Sequence, residues 1–108
     1  MYWVDWNPSR GSEQAGTRPA VIIQTDAGNT NPNYSNTIVA AITSTVARVP
    51  THVDIQPSKE NGLSRISCVK CEQLVTVSKD RLAGSIGKLD ADDMGRVDVA
   101  LKRAMALT

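Results

Sequence analysis

A polar loop with a glycine at each end, followed directly by an apolar strand, constrains this chain most. The loop runs from Gly11 to Gly16 and leads through Arg18 and Pro19 into the apolar residues 21–23. Glycine adopts positive φ at little steric cost, so the loop can turn sharply. Because Pro19 fixes its own φ and favours an extended backbone at the preceding residue, the pattern predicts an arginine held at the mouth of a buried strand.

The same loop carries one carboxylate and one guanidinium, Glu13 and Arg18, five residues apart. Holding an arginine in this way costs side-chain entropy and desolvation free energy. A protein that keeps the charge there usually uses it to bind an anionic group. The alternative interpretation is a solvent-exposed turn with an incidental ion pair. The loop alone leaves both interpretations open.

Length and composition place the chain among ordinary globular domains. Its 108 residues include 41% hydrophobic and 21% charged residues, with a formal net charge of +1. One domain with one core is expected, and any nucleic-acid site must come from local clustering of charge. No apolar run approaches the ~20 residues that span a bilayer. The N-terminus lacks the pattern of a secretory signal, so we expect a cytoplasmic protein that does not bind membranes.

Apolar and β-branched runs separated by turn residues predict five strands. The fifth strand is expected to bend near Glu72 and Gln73, which interrupt its apolar pattern. The long polar segment between the second and third strands, from Thr25 to Asn36, is predicted to be a loop. The five predicted strands are Tyr2–Trp6, Ala20–Gln24, Thr37–Thr43, Thr51–Ile55 and Ser67–Val77.

Two helices are predicted near the C-terminus. Ser78 is a candidate cap for a short helix over Lys79 to Ala83. Asp90 is a candidate N-cap for a longer amphipathic helix, whose apolar stripe comprises Met94, Val97, Leu101, Ala104 and Met105. Several short strands followed by a terminal helix indicate a mainly β protein, a small curved sheet or barrel capped by a C-terminal amphipathic helix.

Two patterns that carry chemistry in other proteins are interpreted here as structural. Cys68 and Cys71 form a Cys-x-x-Cys pair, but on a strand these positions face opposite sides, and no second pair completes a zinc site. We therefore expect two reduced, structural thiols. His52, the only histidine, is predicted on the solvent side of the fourth strand beside Asp54. Without a partner nearby in sequence it is expected to be passive, with a general-base role as the alternative.

Five segments of the chain occur in an order that resembles the MazF/PemK family of toxin endoribonucleases. The likeness extends over nearly the whole chain and includes the terminal helix. It departs at the N-terminus, where family members usually carry several more residues, often ending in Arg-Gly, before the aromatic strand. The matching segments are Trp3-Val4-Asp5 with Asn7-Pro8, Gly-Ser-Glu-Gln-Ala-Gly at 11–16, Arg18-Pro19-Ala20-Val21-Ile22-Ile23, Val39-Ala40-Ala41-Ile42-Thr43-Ser44 and Glu72-Gln73.

This resemblance implies an SH3-like barrel that forms a homodimer and cleaves single-stranded RNA in a sequence-selective way, with no metal and no cofactor. It also implies an antitoxin partner whose disordered acidic tail fills the RNA groove. By position, Arg18 and Thr43 match the family's catalytic arginine and threonine. Glu13 matches a carboxylate that has a base role in some members. The positions that would contact RNA are Ser12, Gln14, Ser44 and Gln73.

The residue types suit that chemistry. RNA supplies its own nucleophile, the 2′-OH, so the protein needs a proton acceptor, a positive donor for the phosphate and help for the leaving oxygen. Arg18 can bind phosphate oxygens through two N–H groups at once, and Thr43 can hydrogen-bond the phosphate or orient the hydroxyl. Two other classes stay open: a non-enzymatic toxin of the same fold that binds DNA gyrase, and an inactive module whose loop holds a partner peptide.

Overall fold

The computed structural model describes residues 1–5, 17–24, 26–46 and 48–107. Within these ranges the chain forms six strands, two α-helices and one turn of 3-10 helix. No helix in the described ranges is long and apolar enough to cross a membrane. The elements are β1 (Tyr2–Asp5), β2 (Thr17–Ile22), α1 (Asp26–Thr30), β3 (Asn36–Thr43), β4 (His52–Ile55), β5 (Ser67–Ser78), the 3-10 turn Lys79–Arg81, β6 (Leu82–Ser85) and α2 (Ala91–Ala104).

The six strands form one antiparallel sheet in the order β4-β5-β3-β2-β1-β6. The second strand is central, as predicted, but it begins at Thr17 and ends at Ile22 because its first residues pair with β1. Arg18 and Pro19 therefore lie in extended backbone, as the proline predicts. The predicted strand end at Trp6 lies outside the described residues.

The chain beyond one edge of this sheet meets the chain beyond the other edge. The backbone N–H of Lys88, after β6, donates to the carbonyl of Glu60, after β4, at 3.0 Å. The N-terminal ammonium also donates to the carbonyl of Gly87 at 2.6 Å. The contact between Lys88 and Glu60 joins the two edges and curls the sheet towards the barrel shape that the strand pattern predicts, whereas the contact of the ammonium extends the pairing of β1 with β6.

Consecutive residues of the central strands contribute to two different core clusters, because successive side chains point to opposite faces of a sheet. Val39 belongs to a cluster with Val4 and Ala20, and Ala40 belongs to the larger cluster that includes Val97 of α2. Both faces of the middle of the sheet are thus apolar and buried, as expected for a small curved sheet under a helix.

The terminal helix α2 begins where the sequence predicts. The side chain of Asp90 accepts a hydrogen bond from the N–H of Asp93 at 2.7 Å, which caps the helix. Val97 and Ala100 are buried, and the helix packs on β4 and β5. Met105, the predicted end of the apolar stripe, is the C-cap residue and is 48% exposed.

Two segments differ from the sequence prediction. The predicted loop from Thr25 to Asn36 contains α1, which long-range contacts hold in place: Asn29 accepts a hydrogen bond from Thr37 at 2.7 Å, and the ammonium of Lys79 donates to the carbonyl of Asn29 at 2.9 Å. The predicted helix from Lys79 to Ala83 is only a 3-10 turn. The next residues form β6, since the edge of β1 offers hydrogen-bonding groups that need partners.

The predicted bend in the fifth strand is confirmed as a shift of register. Leu74 pairs with Ala40 of β3, whereas Lys70 pairs with the next residue, Ala41. Residues 71–73 are therefore extra residues on β5. Part of this bulge is paired on its other side, where the N–H of Cys71 donates to the carbonyl of Thr51 at 2.9 Å.

A buried asparagine organises the turn between β4 and β5. Asn61 is 2% exposed, donates to the carbonyl of Gln56 and accepts from the N–H groups of Ser58 and Leu63. The next residue, Gly62, has φ of +71°, and a Cβ there would lie 2.2 Å from the carbonyl oxygen of Ile86. Only glycine fits both this backbone conformation and this close approach.

The first prediction concerns Gly62. Gly62→Ala should lower the free energy of unfolding by roughly 1–2 kcal/mol from the left-handed backbone alone, and the clash with Ile86 adds to this. Urea denaturation of the purified variants measures the change. Gly95→Ala is the matched control: a Cβ at Gly95 meets nothing within 4 Å, so alanine in this helix should raise stability by roughly 0.5–1 kcal/mol. Equal effects of the two substitutions would contradict the assignment.

Candidate active site

A small concavity lies where β2 begins and β3 ends. Its volume is about 220 Å³, and the turn before β5 closes one side. We refer to it as the strand-end concavity. Its apolar wall comprises Trp3, Pro19, Ile42, Leu63 and Ile86, and its polar side chains are Arg18, Thr43, Ser44, Ser64, Arg65 and Ser67.

The strand register brings the two predicted catalytic side chains together. Ala20 of β2 is paired with Ala41 of β3. The paired part of the ladder ends there, and Arg18 and Thr43 each lie two residues further along, so each projects on the same face of its own strand as Ala20 or Ala41. Both side chains line the strand-end concavity. Two residues far apart in sequence thus contribute to one site.

The hydroxyl of Thr43 has a defined orientation. Its Oγ1 accepts a hydrogen bond from the N–H of Thr45 at 3.1 Å, a turn typical of threonine and serine. The hydroxyl proton is left to donate elsewhere, since a hydroxyl has one donor besides its acceptor lone pairs. Ser44, predicted to contact RNA, follows directly and also lines the strand-end concavity.

The charge of the strand-end concavity favours an anion. Two exposed arginines, Arg18 and Arg65, line it, and the described lining includes no aspartate or glutamate. The guanidinium of Arg18 forms no hydrogen bond or ion pair with any residue in the described ranges. Two guanidinium groups with hydroxyls between them are suited to a phosphate, which accepts several N–H and O–H donors.

The other predicted site residues are not part of this arrangement as described. Ser12, Glu13 and Gln14 lie in the loop 6–16, outside the described residues, so their roles stay predictions. Gln73 is exposed on the bulge of β5 and does not line the strand-end concavity. Its predicted contact with RNA also stays a prediction.

Sequence reasoning did not identify Ser64 and Arg65, which the fold brings to the site. They lie in the turn before β5, and Cys68 on that strand is paired with Thr43. The sequence offered one signal for a site here, the polar pair Ser64 and Arg65 shortly before a strand. Its meaning depends on the β3–β5 register, a long-range pairing that local sequence patterns do not specify.

A second polar cluster gives His52 a partner that is distant in sequence. Its Nε2 lies 2.8 Å from Oε2 of Glu72, and the hydroxyl of Thr51 donates to Oε1 of the same carboxylate at 3.0 Å. The imidazole is 13% exposed, and its Nδ1 is buried with no hydrogen-bond partner among the described residues. Because β4 and β5 are neighbours, residues 20 positions apart meet.

This cluster sets the ionisation of Glu72. Burial acts to raise the pKa of its carboxyl, but hydrogen bonds from His52, from its own backbone and from Thr51 outweigh that effect and hold the pKa below the usual range. Glu72 is therefore a carboxylate at neutral pH, and His52 must present a protonated Nε2 to it.

Neither cysteine forms a disulfide and both are buried, which agrees with the expectation of structural thiols. Burial, followed by the nearby charges of Glu72 and Cys68, raises the pKa of Cys71 to about 11, which makes it unreactive at neutral pH. The described ranges contain no group of three or more His, Cys, Asp or Glu side chains arranged to hold a metal ion.

A larger hollow of the described surface lies elsewhere. It has a volume of about 860 Å³ between β4 and α2, and its charged rim includes Arg48, Arg96 and Arg103. Arg96 is engaged there, since it donates to the carbonyl of Asp54 at 3.0 Å and pairs with Asp93. None of the predicted catalytic residues lines this hollow. Size alone is therefore a poor guide to the site here, and we assign the site by its chemistry.

Fold and site together define a class: a small antiparallel β protein capped by a C-terminal helix, with a concavity at the strand ends whose described lining carries arginines and hydroxyls. A family model described as "PemK-like, MazF-like toxin of type II toxin-antitoxin system" matches residues 1–105. The chain belongs to this family. Among curated relatives, Endoribonuclease EndoA of Bacillus subtilis (strain 168) is 44% identical over 110 residues, which cover 99% of this chain and 91% of that protein.

Solved structures confirm the fold class. An endoribonuclease from Mycobacterial species in complex with its cognate antitoxin matches with a TM-score of 0.80 and 24% identity, over 99% of this chain and 91% of that one. The Mycobacterium tuberculosis toxin MazF-mt6 matches with a TM-score of 0.76 and 30% identity, over 86% of this chain and 90% of that one. The predicted mainly β toxin fold with a C-terminal helix is therefore correct.

The second prediction concerns pH. The pKa of Glu72 is lower in the folded than in the unfolded state, where a free glutamate has a pKa near ~4.3. Its contribution to stability is therefore present above that value and is lost as the pH falls through the folded-state pKa. Glu72→Gln should cost roughly 0.5 kcal/mol at pH 7, a small value because the side chain is 39% exposed.

Urea denaturation of wild type and Glu72→Gln from neutral pH to pH 3 measures this difference. The gap between the two should close as the pH falls. Glu60→Gln is the control, since the side chain of Glu60 is exposed and forms no hydrogen bond with the described residues. A gap for Glu72→Gln that stays constant with pH would contradict the linkage.

Proposed function

We propose that this chain is the toxin of a type II toxin–antitoxin system and cleaves single-stranded RNA at the strand-end concavity. The observation that carries the proposal is that Arg18, near the start of β2, and Thr43, at the end of β3, line one concavity whose described lining is basic and hydroxyl-rich. Family membership and the endoribonuclease activity named for the 44% identical relative support the same activity.

The proposed reaction uses the substrate's own nucleophile. The 2′ oxygen forms a bond to the adjacent phosphorus, the bond from phosphorus to the 5′ oxygen breaks, and a 2′,3′-cyclic phosphate and a 5′-OH end result. One proton leaves the 2′-OH for a base, and one proton reaches the departing 5′ oxygen. Because no external nucleophile has to be activated, the step has no requirement for a metal-bound water.

Each residue then has a distinct role. Arg18 binds the non-bridging phosphate oxygens and stabilises the charge that increases in the transition state. Thr43, whose oxygen already accepts a hydrogen bond from the N–H of Thr45, donates a hydrogen bond from its hydroxyl to the phosphate or to the 2′ oxygen, which it orients. Glu13 is the proposed base, and Ser12, Gln14, Ser44 and Gln73 are the proposed RNA contacts.

The proposal includes two protein partners. One is a cognate antitoxin, and the solved mycobacterial relative in complex with its own antitoxin supports such a partner. We propose further that an acidic, disordered C-terminal segment of this antitoxin covers the basic concavity. The other is a second copy of the chain, a homodimer, which the exposed apolar side chains Trp3, Met105 and Leu107 favour. We place the single domain, residues 1–108, in the cytoplasm, where its substrate is.

The third prediction tests the activity. Wild type incubated with mixed-sequence single-stranded RNA in EDTA should give discrete fragments ending in cyclic phosphate. Arg18→Ala should cut roughly 100-fold more slowly or worse, because it removes a charged donor from the transition state. Thr43→Ala should also lose most activity. Gel analysis of end-labelled RNA measures the rates, and sequencing of the fragment ends gives the preferred motif.

Matched controls are an arginine and a threonine that are exposed away from the concavity, Arg103 on α2 and Thr76 on β5. Arg103→Ala and Thr76→Ala should cleave like wild type. Intact RNA with every protein would favour the gyrase-binding toxin or the inactive module instead. A toxic Arg18→Ala variant in growing cells would favour the gyrase binder in particular.

The fourth prediction concerns the antitoxin segment. A fluorescent acidic peptide and a labelled 2′-deoxy oligonucleotide should exclude one another on the toxin, and both complexes should weaken with salt because both depend on the arginines. Sedimentation velocity with the two labels measures this, and the same runs should show the free toxin at twice its 11.6 kDa monomer mass. Because a dimer carries two copies of the site, the decisive run uses saturating peptide: oligonucleotide that stays bound there would contradict a shared site, and an 11.6 kDa particle would contradict the dimer.

A further inference from the structure

Arg65 is the one basic side chain of the strand-end concavity to which neither the sequence nor the proposed reaction assigns a role. It is exposed, it lines the same concavity as Arg18, and its guanidinium has no hydrogen bond or ion pair with the residues that the structure describes. Two like charges in one concavity repel each other. The presence of Arg65 beside Arg18 therefore favours a ligand that carries more than one negative charge.

The backbone that carries Arg65 is fixed on both sides. Downstream, the hydroxyl of Ser67, a residue that is 5% exposed, donates to the carbonyl of Arg65 at 3.1 Å. Upstream, the buried Asn61 accepts from the N–H of Leu63 at 3.0 Å. The side chain is therefore presented from an ordered turn, which lowers the entropy cost of using it in binding.

The two arginines differ in their position relative to Thr43. Arg18 lies on β2, which pairs with one side of β3, whereas Cys68 of β5 is paired with Thr43 on the other side of β3. Arg65 precedes Cys68 by three residues, in the turn before β5, so it approaches the concavity from the side opposite to Arg18. With the two guanidinium groups on different sides of Thr43, Arg18 can bind the reacting phosphate while Arg65 binds a phosphate further along the RNA strand.

We propose that Arg65 is a substrate-binding residue that holds the phosphate next to the one that is cleaved, while Arg18 holds the reacting phosphate. The inference rests on the proposed function and assigns a second phosphate subsite to the same concavity. At about 220 Å³ the concavity is smaller than the roughly 300 Å³ or more of common small-molecule pockets. A strand of RNA must therefore continue beyond it, and the exposed turn at Ser64 and Arg65 lies on its rim.

The fifth prediction tests this subsite by separating binding from catalysis. A mixed-sequence 2′-deoxy oligonucleotide, which cannot be cleaved through a 2′-OH, is titrated with wild type, Arg65→Ala, Arg65→Lys and Arg103→Ala at several salt concentrations. Arg65→Ala should weaken binding roughly tenfold, the loss of one charged hydrogen bond. It should also reduce the slope of log K against log salt by about 0.7, the value for one phosphate contact on a single strand.

The conservative variant and the kinetics complete the test. Arg65→Lys should regain most of the affinity, because a point charge still binds a phosphate, and Arg103→Ala should bind like wild type. With RNA as substrate, Arg65→Ala should raise KM roughly tenfold and change kcat by less than about threefold, because the lost contact is made equally in the ground state and the transition state. Thermal melting shows that the variants are folded.

The outcomes are distinguishable from failure of the proposed activity. If wild type leaves RNA intact but Arg65→Ala weakens oligonucleotide binding and lowers the salt slope, the phosphate subsite stands and the ribonuclease assignment is wrong. If wild type cleaves RNA and Arg65→Ala keeps both the affinity and the salt slope of wild type, the subsite is wrong. A fall in kcat at constant KM would also overturn it, since Arg65 would then act in the chemical step.

Discussion

The pairing of β2 with β3 is the interaction on which the rest of the site depends. Because side chains alternate along a strand, a slip of one residue in this register would turn either Arg18 or Thr43 to the opposite face of the sheet. The apolar residues of both strands prevent such a slip. Val39 and Ala40 are each 0% exposed in different clusters, so exchanging the two faces would disrupt both cores at once. The packing of the middle of the sheet thus fixes the geometry at its end.

Local patterns were sufficient to predict the elements that packing and capping determine. The strands, the cap at Asp90 and the bend of β5 follow from side-chain alternation, capping chemistry and an interrupted apolar run. The errors share a cause, which is contact between residues distant in sequence. The short helix α1 depends on Lys79 and Thr37, β6 depends on the edge of β1, and His52 finds Glu72 across a ladder that no local pattern specifies.

The residues of the candidate site divide in the same way, into those that could be named from the sequence and those whose place depends on distant contacts. Arg18 and Thr43 could be named from the sequence because they occur in ordered segments that resemble a family, and the described fold brings them together. Arg65 could not be named, because its place depends on the β3–β5 register and on the turn held by Asn61. A residue in a polar turn acquires a functional interpretation only when the fold shows what it faces.

The positive charge of the strand-end concavity bears on both substrate binding and inhibition. Arg18 and Arg65 line it with no carboxylate among the described lining residues, and the positive charge of these two side chains favours an anionic ligand. A phosphodiester backbone and an acidic peptide can both supply that charge. They differ in that the RNA supplies a 2′-OH beside the phosphate, whereas a carboxylate-bearing peptide offers no bond for the site to break. In the proposed function the same arginines would therefore bind the substrate and expose the site to inhibition by an acidic segment, and only the chemistry of the occupant would decide between cleavage and neutralisation.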